Sequence, residues 1–227
     1  MTIFDHVPSD DDLRPATPPD LRRDPEASLQ LSRIAAALFW RDGFAPARGD
    51  DIAAVAGIST RTLWRHFRSK EACIEPILTS LAITLVDIIV AWPLEQSLED
   101  YLLPGVGEEP VSYSDDQIHA MRMIELGRSE PALRSAWLMV CDDAERRIAP
   151  ALTARLGLQP NDPEALRITA AVVAVNRAYN DELTTLYLRQ GVSPASGEVA
   201  RTLVRGIVDA SGGSLGPAVA LTEGGSR

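Results

Sequence analysis

One lysine, at position 70, stands in a 227-residue chain that carries 21 arginines, and cysteine and histidine are almost as scarce. Cys73 and Cys141 are too few for a disulfide framework or a four-ligand zinc site, which points to a reducing cytoplasm. His6, His66 and His119 are scattered, and no Ser-His-Asp set, metal-ligand cluster or phosphate-cradling glycine loop accompanies them. No catalytic residue, metal or cofactor is therefore expected. Long apolar runs are missing too: the longest nearly apolar stretch, residues 81–92, is too short to span a bilayer and contains Asp87. The chain shows no basic start followed by an apolar run and a cleavage site, so neither secretion nor membrane insertion is expected. Strand-like alternation and internal repeats do not stand out either. What remains is an all-α protein.

Positive charge is in short supply, and its distribution matters more than its amount. The net charge is −10. Residues 1–27 hold three arginines and seven acids, and residues 71–227 hold twelve arginines and 22 acids. Between them, residues 28–70 hold six arginines and Lys70 against Asp42, Asp50 and Asp51. One segment of an acidic chain is thus a basic island, the local patch that phosphate binding requires. The acidic remainder should weaken non-specific binding and leave affinity sensitive to salt.

Residues 1–25 are rich in Asp and Pro, which predicts a disordered arm. A first helix is expected over 26–42, with Leu31, Ile34, Ala35, Leu38 and Phe39 as its core stripe and Gly43 as its stop. Residues 51–70, DIAAVAGISTRTLWRHFRSK, then read as two short helices around a tight turn. Ile52, Val55 and Ala56 line one side of the first, Gly57 supplies the turn, Ile58 plugs the corner, and Ser59 caps a helix over 60–67. This is the pattern of a helix-turn-helix, which lays its second helix in the DNA major groove. The domain expectation is a helix-turn-helix head over 26–70, a helical ligand-binding and dimerisation body over 71–211, and a flexible tail over 212–227. A long helix over about 70–92 should kink at Pro76. Further helices are expected near 95–103, 114–128, 131–157, 163–190 and 195–210, with residues 104–110 as a loop.

Leu38-Phe39, Gly43-Phe44, Asp51-Ile52-Ala53, Ala56-Gly57-Ile58-Ser59, Leu63, His66-Phe67, Lys70-Glu71 and Ile74 stand at set spacings within residues 31–74. In this the chain resembles the tetracycline-repressor (TetR) family of bacterial regulators. The resemblance implies a three-helix DNA-binding head, a helical body that dimerises, and a small-molecule effector. Two departures stand out. The family usually places Thr-Thr-Val or similar before Asp-Ile-Ala, where this chain reads Ala47-Arg48-Gly49, so Asp50 or Gly49 is expected to cap the second helix. Trp64 stands where the family commonly has tyrosine, and its indole N–H donates but cannot accept.

Within such a head, the first residues of the recognition helix face base edges. Thr60 and Arg61 occupy that position, and an arginine can pair bidentately with guanine. Ser59, Thr62, Trp64, Arg65 and His66 are expected to complete the interface, the last four mainly on phosphates. Lys70 is expected to add a phosphate contact at the start of the next helix.

In the body, Ile168, Val172, Val175, Tyr179, Leu183 and Leu186 form one stripe of the 163–190 helix. Leu166, Ala170, Val173, Arg177, Asp181 and Thr184 lie roughly opposite. The last helix is apolar on more than one side through Val199, Leu203, Val204 and Ile207, so these two helices are expected to form a two-fold homodimer interface. The resemblance implies an effector pocket, for which Trp92, Tyr101, Met121, Met123, Trp137, Met139 and Cys141 are apolar candidates, with Asn176, Arg177, Tyr179 and Asn180 beside them. The expected function is a cytoplasmic homodimeric repressor, released from a palindromic operator by a small hydrophobic ligand, with no enzymatic activity. The competing readings are a helical enzyme or carrier of a hydrophobic metabolite, and a regulator that senses oxidation through Cys73 or Cys141.

Overall fold

The computed structural model describes residues 9–15 and 25–216, and among these it is all helical, with an isolated antiparallel bridge between Pro110 and Ala195. The helices are α1 (Asp10–Leu13), α2 (Pro25–Asp42), α3 (Gly49–Ala56), α4 (Thr60–His66), α5 (Glu75–Ala91), α6 (Leu98–Leu102), α7 (Asp115–Leu126), α8 (Pro131–Arg155), α9 (Pro163–Gln190) and α10 (Ser196–Ala210), with a 3-10 turn at Glu71–Ile74 before α5. Two compact units divide the chain, one of Met1–Leu81 with Tyr113–Val140, the other of Ala82–Ser112 with Cys141–Arg227. Residues 71–81 and 113–140 therefore cluster with the segment that carries the helix-turn-helix.

The first unit is built on α2. Its stripe of Leu31, Ile34, Ala35, Leu38 and Phe39 is buried, together with Ile52, Val55 and Ala56 of α3 and Leu63 of α4. Each large side chain so buried contributes roughly 1.5–3 kcal/mol. Ala120, Met121, Met123 and Ile124 of α7 join this core. A bidentate ion pair links α2 to α7, with Arg33 Nε 2.6 Å and Nη2 2.8 Å from the two oxygens of Asp116.

The second unit rests on long helices. Asp162 caps α9 through the Glu164 N–H, and Pro163 begins the helix where its missing donor costs nothing. In α10, Val204 and Ile207 are buried, and Gly206 lies so near Val175 that a Cβ there would sit 2.8 Å from its Cγ1. The 107–111 loop docks by backbone hydrogen bonds from Val111 to Pro194 (2.9 Å), from Ser196 to Glu109 and from Gly197 to Gly107 (both 2.8 Å).

Several expectations need correction. Pro76 does not interrupt a long helix: it is the second residue of α5, after the 3-10 turn. In that first turn a missing N–H breaks no helical bond, and the next N–H, of Ile77, is met by the buried Ser32 hydroxyl at 3.0 Å. The helical stretch Glu71–Ala91 is, by length and composition, long and apolar enough to cross a membrane, with a mean hydropathy of 2.0 over 18 residues. Half of that window is buried inside the protein. Most of the expected arm and tail, residues 1–8, 16–24 and 217–227, lies outside the described residues. Of the arm, Asp10–Leu13 forms one helical turn capped by Ser9, and Asp10 pairs with Arg41 at 2.6 Å. Of the tail, residues 212–215 form turns and Leu215 is fully buried. Pro150 lies within α8.

Candidate nucleic-acid interface

The turn between α3 and α4 follows from three residues. Gly57 adopts φ 69°, in the left-handed region that a glycine enters without penalty, and the N–H of Ile58 closes the helix end on the Ala53 carbonyl at 3.0 Å. Ser59 caps α4 by accepting from the Thr62 N–H at 3.1 Å. At its other end α3 is capped neither by Asp50 nor by Gly49. Arg48 is the N-cap residue, and Asp51 reaches back to accept from the Arg48 N–H at 2.7 Å. The carboxylate three residues on thus supplies the half of a capping box that needs no hydroxyl, holding the N-cap N–H from within the helix.

Gly49 and Trp64 prove to be one departure rather than two. A Cβ on Gly49 would lie 2.1 Å from Cζ2 and 2.7 Å from Cη2 of the Trp64 ring. The indole of α4 therefore lies on the bare backbone at the start of α3, and no larger residue fits beneath it. Trp64 nevertheless remains 42 % exposed.

The predicted interface residues fall into two groups. Arg61, Trp64 and Arg65 are exposed on α4, and Leu63 is rooted in the core on the opposite side. Neither Arg61 nor Arg65 forms an ion pair among the described residues. The hydroxyl residues, by contrast, have internal tasks. Thr60 donates to Asp50 Oδ1 at 2.7 Å, and the Ser59 and Thr62 hydroxyls share a hydrogen bond of 2.8 Å. His66 has its Nε2 buried without a partner, and burial, reinforced by the charge of Arg65, holds its pKa below the ordinary value.

Lys70 faces inward. Its ammonium donates to the carbonyls of Phe44 at 2.5 Å and Ala47 at 2.9 Å, and lies 4.0 Å from the centre of the Phe44 ring. The basic island shrinks accordingly. Arg33 is tied to Asp116 and Glu26, Arg41 to Asp42 and Asp10, and Arg68 to Glu75. Arg61 and Arg65 keep outward positive charge, and so does Arg48, which the sequence marks only as a departure from the family pattern. Its charge within the basic segment 28–70, just ahead of the helix-turn-helix, is the signal the sequence carries.

The pocket candidates are divided between the units. Met121, Met123 and Trp137 are fully buried in the first. In the second, Trp92 lies beneath the Arg155 guanidinium, 3.3 Å from the ring centre, and donates to Gln96 O at 3.0 Å. Cys141 and Asn180 are buried, the Asn180 amide bonds the Asn176 carbonyl at 2.9 Å, and Tyr101, Arg177 and Tyr179 are half-buried. Met139 is half exposed. None of these residues lines either of two clefts found within the units. One, of about 570 Å³, is lined by Gln30, Arg33, Asp116 and His119, and the other, of about 300 Å³, by Pro150, Thr153, Leu158 and Leu166. Cys73 is buried, and burial with the nearby Glu71 and Glu75 pushes its thiol up to about 12, which suppresses the thiolate an oxidation sensor needs.

Comparison with known proteins agrees with this geometry. Residues 33–77 match the model of bacterial regulatory proteins of the tetR family, and residues 108–187 match the MftR C-terminal domain, a further model of that family. The chain is 29 % identical over 164 residues to the HTH-type transcriptional regulator TcmR of Streptomyces glaucescens, covering 67 % of this chain and 71 % of that protein. Among solved structures, a TetR-family regulator from Rhodococcus sp. is 20 % identical, over 82 % of this chain and 96 % of that one, with a TM-score of 0.48. Salmonella enterica GusR is also 20 % identical, over 86 % and 98 %, with a TM-score of 0.48. A helix-turn-helix with outward arginines, followed by a helical C-terminal segment, defines a DNA-binding transcriptional regulator. The chain belongs to the TetR family. Regulators of this family bind DNA operators and small-molecule effectors and are usually dimers.

Proposed function

We propose that the protein is a cytoplasmic, homodimeric repressor that leaves a palindromic operator when a small hydrophobic ligand binds, and that it has no enzymatic activity. The observation that carries the reading is α4 itself, anchored by Leu63 while Arg61 and Arg65 stand outside it without ion-pair partners among the described residues. Thr60 and Arg61 then read base edges, while Ser59, Thr62, Trp64, Arg65 and His66 surround them. Arg48 joins as a phosphate contact. Dimerisation through α9 and α10 is supported by α10, where Val199 and Leu203 stay only partly covered beside the buried Val204 and Ile207. Two-fold symmetry would set the two recognition helices roughly 34 Å apart, or a multiple of that, over a palindrome. For the effector, the candidates are taken unit by unit: Met121, Met123 and Trp137 offer thioether and aromatic surface in the first, while in the second Trp92, Tyr101 and Cys141 stand with Asn176, Tyr179 and Asn180 as polar groups.

The experiment is a gel shift of the purified protein on the DNA flanking its own gene, repeated with candidate hydrophobic ligands. Retardation of one segment over a random duplex, relieved by a ligand, is the expected outcome. Equal retardation of all DNA would remove the operator from the account.

A further inference from the structure

The inward lysine has a consequence for how the recognition helix is held. Helix α4 has seven residues, of which only Leu63 is fully buried. A helix so short has little stability of its own, so its direction is set by what grips its flanks. On one flank the Trp64 ring rests on Gly49. On the other, the chain leaves α4 at Phe67 and three residues later reaches Lys70. The Lys70 ammonium reaches back over the turn between α2 and α3, donating to the carbonyls of Phe44 and Ala47. It also lies over the Phe44 ring, which itself meets Phe39 edge-on at 5.2 Å. Carbonyls and ring faces are what an ammonium with three donors needs when it leaves water.

We infer that Lys70 is a positioning residue for DNA recognition, clamping the 44–47 turn to the exit of α4 and so fixing the angle of the recognition helix. It does not neutralise a phosphate. To reach one, its head would have to abandon two charge-assisted hydrogen bonds and an aromatic face. The inference rests on the DNA-binding reading given above. It also departs from the plain expectation that the only lysine of a basic segment meets the nucleic acid directly.

The two roles differ in their salt dependence. Removing one phosphate-neutralising charge lowers the slope of log K against log salt by about 0.9. Removing a positioning residue leaves the slope alone and reduces the preference for the right sequence. The test uses the full chain, a duplex selected by the wild-type protein from a random pool, and a random duplex of equal length. Lys70→Met, measured at four salt concentrations well below its melting temperature, is expected to bind the selected duplex about tenfold more weakly with an unchanged slope. Its affinity for the random duplex should hardly move. A slope lowered by about 0.9 per protomer, with equal loss on both duplexes, would make Lys70 a phosphate contact and overturn the inference. A lower melting temperature with unaltered affinity would reduce it to a purely structural residue and overturn it too.

Phe44→Leu guards against a Lys70 variant that does not fold. It keeps the charge and both carbonyls but removes the ring, and should lower the preference for the selected duplex in the same direction. Unchanged or stronger binding would indicate a lysine released to seek phosphate, and would overturn the inference. The wild-type arm reports separately on DNA recognition: a wild type that selects no duplex defeats both the function and the clamp, whereas selection with an indifferent Lys70 variant defeats the clamp alone.

Discussion

Helices α4 and α9 hold their places by opposite means. Seven-residue α4 depends on single residues at fixed offsets: Gly57 for the turn, Ser59 for the cap, Leu63 for the root. The 28-residue α9 buries eight residues along its length, and any apolar side chain of suitable volume serves at most of those positions. The first kind of helix leaves a motif in the sequence, and the second leaves only a period. The part of the molecule that reads DNA is therefore recognisable residue by residue, while the part assigned to ligand and partner is recognisable only as helical.

This contrast can be strained where the expected effects are largest. Leu63→Ala removes the one fully buried side chain of α4 and should cost about 2–5 kcal/mol in denaturant unfolding, a heavy loss for so short an element. A single apolar trim of α9 at the half-buried Val175 should cost far less; equal losses would erase the distinction. Next comes Gly49→Ala, which would drive a methyl into the Trp64 ring and should destabilise by roughly 1–3 kcal/mol. Combined with Trp64→Ala the penalty should largely vanish, and a strictly additive double mutant would show that the two residues do not interlock.

On the DNA side, Arg61→Ala should cost about 1–3 kcal/mol of affinity in a manner that depends on operator sequence, while Arg48→Ala should weaken all duplexes alike. Competition binding on variant duplexes separates the two patterns. The smallest effect concerns pH. Burial holds His119 below its ordinary pKa near 6.5, helped by Arg122 and Arg33 and opposed by Asp116 and Asp115. The native state thus takes up a proton less readily than the unfolded chain. The stability so gained is present above the ordinary value and lost as pH falls below it. Melting temperature should drop from pH 7.5 to 5.5, and His119→Gln should flatten that slope, leaving the part due to His66.

Much of the first unit is legible in the sequence because its signals are stereochemical. Gly57 and Ser59 fix a helix boundary by what their backbones and side chains can do, and the stripe of Leu31, Ile34, Leu38 and Phe39 identifies a buried face by period alone. What periodicity and composition do not carry is direction. Lys70 looks like surface charge until the Phe44 and Ala47 carbonyls are placed before it, partners 26 and 23 residues away along the chain. Asp51 serves as a cap from within α3, a task the sequence suggests for Asp50 or Gly49. Pro76 signals a helix start, yet it resembles a kink because the 3-10 turn before it preserves the helical pattern of apolar residues. In the second unit, Trp92 looks free to line a pocket, but it serves as the floor for Arg155. Aromatic composition alone cannot distinguish a cavity wall from a filled core.

The proposed function rests on a two-fold DNA site read by a pair of arginine-bearing recognition helices. The most direct measurement is analytical ultracentrifugation of the wild-type protein with a palindromic duplex selected from a random pool, at two salt concentrations. The proposed function requires two protomers per duplex and an affinity that falls steeply with salt. One protomer per duplex, or binding no tighter than to a random duplex of the same length, would contradict it.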